Sequence, residues 1–172
     1  MGVRIPPLAV ELQVVEEILI VPATAADAAA AAEITREAFT GVSIDQAIQD
    51  LLGPAAGRSW QDIKADEVRR EIQQGPGDCF VATCGGRVVG YVTTQLHKEI
   101  SQGRIPNLAV EKPFRGRGIG RKLLLRALEH FRGLGLKQAR IETLTTNPVG
   151  QRLYPAVGFK EVARQIHYVM AL

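Results

Sequence analysis

Apolar and polar positions change period several times along the chain, and each change predicts an element. Ile18-Leu19-Ile20-Val21 is a short, wholly apolar run rich in β-branched residues, which predicts a buried strand ended by Pro22. Thr24-Ala25-Ala26-Asp27 has the form of a capping box, with Asp in place of the stronger Glu. It opens an alanine-rich helix that runs to about Phe39, with Ile34, Ala38 and Phe39 as its expected anchors. Ile44, Ala47, Ile48, Leu51 and Leu52 have helical spacing that Gly53-Pro54 stops. Val68 and Ile72 share one face of a second or third short helix over residues 63–74, which Gly75-Pro76-Gly77 terminates.

The period then switches to two. Cys79-Phe80-Val81-Ala82-Thr83 and Val88-Val89-Gly90-Tyr91-Val92-Thr93 flank Gly85-Gly86, which predicts an antiparallel hairpin. A further strand is expected over residues 105–110. After Gly116 to Gly120 a helix begins, with Ile119, Leu123, Leu124, Ala127, Leu128 and Phe131 as its apolar stripe. Gly133 and Gly135 close it. Residues 140–145 predict a strand, 149–157 a short helix, and 159–163 and 165–170 two final strands. The order β-α-α-β-β-β-α-β-α-β-β makes an α/β or α+β sandwich around a mixed sheet.

Composition adds limits. A chain of 172 residues with 46% hydrophobic and 23% charged residues suits one ordinary globular domain and excludes disordered or fibrous classes. Pro6, Pro7, Glu11, Gln13, Glu16 and Glu17 interrupt the apolar residues of positions 1–17, so no signal peptide or membrane span is expected there. That stretch reads as an N-terminal arm, suited to an added strand or a dimer contact, ahead of one domain over residues 18–172. Cys79 and Cys84 are too few for a disulfide framework, and their C-x4-C spacing without a neighbouring His is a poor metal pattern. They read as reduced core or turn residues of a cytoplasmic protein, with no metal site.

The net charge of +3 is modest but unevenly spread. From Glu111 to Arg140 the cations Lys112, Arg115, Arg117, Arg121, Lys122, Arg126, Arg132, Lys137 and Arg140 face only Glu111 and Glu129. Such an excess favours an anionic ligand, although Arg126, Arg132 and Lys137 read as a solvated helix face. The segment from Leu108 to Lys122 places a strand, a loop with Gly116, Gly118 and Gly120 at alternate positions, and a helix start in succession. Glycines let successive amides converge on one point, and a helix start adds free N–H donors and partial positive charge. With Arg115, Arg117 and Arg121 around it, the loop reads as a pyrophosphate cradle, a ligand-free glycine turn being the bland alternative. A Walker loop needs Gly-Lys then Ser or Thr, and Gly120 is followed by Arg121-Lys122-Leu123. A dinucleotide fingerprint needs G-x-G-x-x-G after the first strand of a βαβ unit, and this loop is G-x-G-x-G behind a hairpin.

Arg115-x-x-Gly118-x-Gly120 does resemble the R/Q-x-x-G-x-G/A motif of the GNAT (Gcn5-related N-acetyltransferase) superfamily. Asn147-Pro148-Val149-Gly150-Gln151-Arg152-Leu153-Tyr154-Pro155-Ala156-Val157-Gly158-Phe159 resembles that family's N-x-x-A-x-x-L-Y-x-x-x-G-F signature, with Gly150 where Ala is usual. That departure is expected to loosen the helix without touching a chemical group. Val21-Pro22-Ala23-Thr24-x-x-Asp27 resembles the first strand and helix start of many members, so the resemblance covers about residues 18–172, most weakly over 41–74. It implies a mixed, mostly antiparallel sheet of six to seven strands flanked by about four helices and splayed at the cofactor strand. It also implies acetyl-CoA as cofactor, with Leu108, Ala109 and Val110 along the pantetheine arm. Arg115, Gly116, Arg117, Gly118, Ile119, Gly120, Arg121 and Lys122 would take the phosphates.

By the same resemblance the reaction is transfer of an acetyl group to a primary amine by direct attack in a ternary complex. Tyr154 stands where the family places its general acid, packing against coenzyme A being its other role. The amide of Ala109 or Val110 would face the developing oxyanion. Asn147 would bond the cofactor arm or cap the helix after it. Glu142 matches the proposed catalytic Glu of ribosomal-protein N-terminal acetyltransferases, or is an exposed strand residue. Glu99, His97 and a water chain are the other candidates for the base. His130 and His167 read as structural or exposed, and Trp60 as a core anchor or acceptor wall. The acceptor is an amine-bearing small molecule or a peptide N-terminus, and a homodimer fits the family. The competing functions are an acyl-CoA sensor without turnover and nucleic-acid binding. With aromatics at only 5% and no aromatic-interleaved basic surface, the chain is not expected to bind nucleic acid, and no membrane association is expected.

Overall fold

The computed structural model describes residues 17–172, so the expected N-terminal arm lies outside the described residues except for its last position. The described elements run β1 (Ile18–Pro22), α1 (Ala28–Ala38), α2 (Ile44–Leu52), α3 (Trp60–Gln74), β2 (Phe80–Cys84), β3 (Arg87–Val92), β4 (Gln95–His97), β5 (Gln102–Ile105), β6 (Leu108–Val110), α4 (Ile119–Gly133), β7 (Gln138–Ile141) and α5 (Pro148–Val157). Three helices therefore precede the hairpin, where the predicted order carried two.

Strands β1, β2, β3 and β6 form one antiparallel sheet in that order, and β4, β5 and β7 form a second. Period-two alternation, reset once by an irregularity in register between Ala82 and Thr83 that leaves Val89 as the extra residue of β3, splits the core of the hairpin between two faces. Phe80, Ala82, Val89 and Val92 point to one side, where Leu123, Leu124, Ala127 and Phe131 of α4 cover them. Val81, Val88 and Tyr91 point to the other, against Ala28 and Ala31 of α1 and Val68 and Ile72 of α3. Burial on both faces explains the near-continuous apolar runs of β2 and β3, each such side chain contributing about 1.5–3 kcal/mol. At the sheet edge β1 behaves differently. Leu19 and Val21 are exposed, so the expected fully buried strand is one-sided.

The capping box forms as expected: Asp27 Oδ2 accepts from the Thr24 amide at 2.8 Å, on a single 3-10 turn ahead of α1. Small residues, not the expected anchors, fill the contact of α1. Ala28, Ala31, Ala32 and Thr35 are buried, while Ile34, Ala38 and Phe39 pack at its rim. The Tyr91 hydroxyl meets Thr35 Oγ1 at 2.7 Å inside this face, and burial lifts that phenol far above its ordinary value. Helix α3 starts three residues earlier than its apolar spacing implied. Ser59 Oγ accepts from the Asp62 amide at 3.1 Å, and Trp60 is buried as a core anchor.

The strand expected over residues 105–110 is two strands joined by a bulge. Pairing runs Gln95↔Arg104 between β4 and β5, and Val92↔Leu108 between β3 and β6. Thr93 and Thr94 thus stand opposite Ile105, Pro106 and Asn107. One extra residue turns the strand. On its other side β5 pairs in parallel with β7, as far as Ile105↔Ile141. Beyond that pair the two strands part, and β6 continues with β3 as its sole ladder partner among the described residues. This is the splay implied by the family resemblance.

Two corrections concern the end of the chain. The strand expected over 140–145 is Gln138–Ile141, which ends where its parallel partner turns away at the bulge. The two strands expected over 159–163 and 165–170 are not formed; residues 159–172 carry no regular secondary structure. Ile166, Tyr168 and Met170 alternate as a strand would, yet all three are exposed. Strand propensity is realised only through a paired neighbour, and among the described residues none pairs there.

Candidate functional site: an open strand edge beside a glycine-lined helix start

Hydrogen-bond alternation decides which groups of β6 face the wedge. The Thr93 amide donates to the Asn107 carbonyl at 2.9 Å, and the Glu111 amide donates to the Val89 carbonyl at 2.9 Å. Tyr91↔Ala109 lies midway between these pairs and shares their bonding phase. The amide of Ala109 is therefore directed at β3. Leu108 and Val110 turn their backbone groups to the open side. Of the two amides expected to face an oxyanion, that of Val110 has the direction required.

The loop after β6 makes a 3-10 turn at Lys112–Phe114 and then bends at Gly116 (φ 77°) and Gly118 (φ 76°). These left-handed angles suit glycine alone at little cost. A side chain built on either glycine meets nothing within 4 Å, so the space in front of them is open. The first helical bond of α4 runs from the Lys122 amide to the Gly118 carbonyl at 3.1 Å. The amides of Ile119, Gly120 and Arg121 are left pointing out of the helix start, where its dipole is positive.

The surrounding cations are held individually. Arg115 Nε donates to the Val110 carbonyl at 2.9 Å, tying the loop back to the strand. Arg117 lies over the Phe114 ring at 5.1 Å. Arg121 Nη1 donates to the Ala156 carbonyl at 3.2 Å, joining α4 to α5. All three stay exposed, as does Lys122. The arrangement can take an extended ligand with strand-like polar groups at one end and an anion at the other.

Helix α5 brings the second set of expected residues. The Asn147 carboxamide is engaged at both ends: Oδ1 accepts from the Gly150 amide at 3.2 Å, and Nδ2 donates to Thr143 Oγ1 at 2.9 Å. It caps the helix, the alternative role foreseen for it. Gly150 is buried, and a Cβ there would lie 2.8 Å from Thr143 Oγ1, 3.0 Å from Asn147 Nδ2 and 3.1 Å from Tyr154 Cε2. The expectation that this glycine touches no chemical group is overturned, because the side chains of Thr143, Asn147 and Tyr154 close up around it. Tyr154 packs edge-on to Phe159 at 6.3 Å, and burial pushes its phenol up to about 12.

Glu142 lies one residue beyond β7 and is exposed. Arg104 Nε holds its Oε2 at 3.2 Å and Arg140 Nε holds its Oε1 at 2.7 Å. Arg104 Nη1 also donates to Gln95 Oε1 at 3.3 Å, so this guanidinium joins β4, β5 and the end of β7. His97 and Glu99 sit together in the β4–β5 connection with their charged atoms 3.7 Å apart. His130 is structural: its Nε2 meets Asp78 Oδ1 at 2.8 Å and its ring packs edge-on to Phe80. His167 is exposed on the C-terminal segment.

One polar residue was missed in the sequence. Glu71 of α3 accepts from Asn107 Nδ2 at 2.7 Å and from Gln95 Nε2 at 3.1 Å. Burial raises its carboxyl above the ordinary range, against the opposing effect of its hydrogen bonds. It borders a cavity of about 270 Å³ with Asp78, Thr94, Gln95 and Leu96. Nothing in its spacing set it apart from the other acids of α3.

An open inner strand edge, a bulge that creates it and an amide-rich helix start beside it offer a place for an extended anionic ligand. Comparison with known proteins gives that arrangement a family. The sequence profile of the acetyltransferase (GNAT) family matches residues 45–159. The chain belongs to this family. It is 29% identical over 123 residues to N-alpha-acetyltransferase 30 of Dictyostelium discoideum, a match covering 70% of this chain and 66% of that protein. It is 33% identical over 97 residues to N-alpha-acetyltransferase MAK3 of Arabidopsis thaliana, covering 55% and 51%. The matches thus span two thirds or less of these curated relatives. Among solved structures, PaiA N-acetyltransferase of Thermoplasma acidophilum in complex with coenzyme A superposes with a TM-score of 0.62 and 21% identity, covering 84% of this chain and 90% of that one. Among the described residues no helix is long and apolar enough to cross a membrane.

Proposed function

We propose that this chain is an acetyl-CoA-dependent N-acetyltransferase acting on a primary amine by direct attack. Family membership supports the reaction class, and the open edge of β6 beside the empty space at Gly116 and Gly118 carries the assignment of the site. The residues fit the cofactor by their chemistry. Leu108 and Val110 offer backbone donors and acceptors to the amide-bearing arm. The amides of Ile119, Gly120 and Arg121, with Arg115, Arg117 and Lys122, offer positive potential to the pyrophosphate. Acetyl-CoA supplies a thioester whose carbonyl is open to an amine.

In this reading the amine nitrogen bonds to the acetyl carbon while the carbon–sulfur bond breaks. The Val110 amide stabilises negative charge that develops on the carbonyl oxygen. Glu142, directly or through water, takes the proton that the amine must lose. Tyr154 gives its proton to the departing thiolate, and burial keeps that phenol protonated at neutral pH. Arg104 and Arg140 hold the two oxygens of Glu142 and so fix where its carboxylate stands. Relatives named N-alpha-acetyltransferases support a protein N-terminus as acceptor, with a small-molecule amine as the other class. A cytoplasmic location and a homodimer belong to the same reading.

The test is acetyl-CoA turnover, followed by free thiol, against N-terminal peptides, amino acids, polyamines and aminoglycosides. At least one amine should be acetylated. Gly118→Glu places a side chain and a negative charge in the cradle and should abolish coenzyme A binding. Wild-type affinity in that variant would refute the site.

A further inference from the structure

We infer that Glu71 is a positioning residue for the cofactor strand, acting through Asn107; this rests on the function proposed above. Asn107 is the last residue of the bulge and immediately precedes β6. Its backbone carbonyl is spent on the Thr93 amide. Its side chain, only 1% exposed, is anchored by the 2.7 Å bond from Nδ2 to Glu71 Oε2. The peptide that turns the chain from the β5 register into the β6 register is thereby pinned to helix α3.

The anchor is itself braced. Glu71 Oε1 accepts from Gln95 Nε2, and Gln95 Oε1 accepts from Arg104, which also holds Glu142. The carboxylate thus stands where three structures converge: helix α3, strand β4 and the bulge. A bulge has no ladder of its own to fix its dihedral angles. The Thr93–Asn107 bond opens the β6 ladder and sets its phase, so what holds Asn107 steadies where the Leu108 and Val110 amides lie. A carboxyl group is suited to the task because its two oxygens can accept from both carboxamides at once. A side chain without acceptors leaves the buried Asn107 N–H group stranded and removes the acceptor of the half-buried Gln95. Glutamine keeps one acceptor and adds one donor. Asn107 can meet that donor by turning its carboxamide over, since its Oδ1 has no partner among the described residues.

Hydrogen bonding, more than charge, is therefore the property at work, and conservative and non-conservative substitutions should differ. Coenzyme A affinity is measured by calorimetry for the wild-type chain, Glu71→Met, Glu71→Gln, Asn107→Ala and the Glu71→Met/Asn107→Ala double variant, with thermal melts alongside. Glu71→Met and Asn107→Ala should each weaken binding by about tenfold, the size of one hydrogen bond to a charged group. Glu71→Gln should bind within about threefold of wild type, and the double variant no more weakly than the worse single one. Should Glu71→Met fail to fold, Asn107→Ala and Glu71→Gln decide the matter. Unchanged affinity in Asn107→Ala, or Glu71→Gln as weak as Asn107→Ala, overturns the inference. A wild-type chain that binds no coenzyme A overturns the function proposed above instead.

Discussion

Replacing Gly103 by alanine tests how tightly the second sheet is set against α4. A Cβ on Gly103 would lie 2.5 Å from Phe131 Cδ2, 2.6 Å from Cε2 and 2.6 Å from Cγ. Carbon atoms rest at about 3.5–4.0 Å, so the ring must withdraw by roughly 1 Å. It has little room to do so. Phe131 is 2% exposed and belongs to the cluster formed with Phe80, Leu124 and Leu128. Overpacking of this kind costs about 1–3 kcal/mol. Relief of the glycine's extra unfolded-state freedom returns about 0.5–1 kcal/mol. A net loss of about 1–2 kcal/mol follows, which for a chain of this size lowers the melting temperature by about 2–8 °C. Urea and thermal unfolding of Gly103→Ala would measure it. Gly103→Ala with Phe131→Leu is the control, because a smaller side chain frees the space. The pair should be less destabilised than the sum of the single variants by about 1 kcal/mol. A variant as stable as wild type, or strict additivity in the pair, would show that the strand and the helix are not held in this contact.

Two further expectations concern the site. Tyr154 titrates near 12 against an ordinary value of about 10, so the raised phenol favours the fold below pH 10 and loses that contribution as pH climbs through 12. The tyrosinate absorbance missing from Tyr154→Phe should therefore emerge near pH 12. Emergence near pH 10 would contradict the burial, and turnover unaffected by that substitution would contradict the acid role. In Gly150→Ala a gain in helix propensity of about 1 kcal/mol meets the loss of the Asn147–Thr143 bond, about 1 kcal/mol. Stability should barely change while acetyl transfer drops several-fold, because Asn147 and Tyr154 are displaced. Equal turnover would mean that the displaced side chains do not serve the reaction.

The legibility of the chain tracks how local each cause is. Gly85-Gly86 and its β-rich flanks named the hairpin, and the stripe from Ile119 to Phe131 named α4, because neighbours in sequence supply those patterns. Gly116 and Gly118 marked the turn into α4 for the same reason. Strand β4 escaped because Gln95-Leu96-His97 is three residues long and has no β-branched residue. The bulge depends on a one-residue mismatch between two segments, which no single window contains. Ser59-x-x-Asp62 was a readable helix start that the search for apolar spacing passed over. Residues 165–170 show the opposite failure, a strand pattern with no partner in the described chain. Glu71 and Gly150 were invisible for another reason: their roles come from side chains 36 and 7 positions away, Asn107 for the first and Thr143 for the second.

An unpaired strand flank is ordinarily an invitation to aggregate, since any extended segment can zip onto it. Here the open flank of β6 starts where the β5–β7 ladder ends, with the second sheet beside it. A foreign sheet would arrive with neighbouring strands of its own and meet the second sheet. A lone slender chain can enter. The protein thus keeps its adhesive backbone next to a second sheet, which screens visitors before any side chain is read.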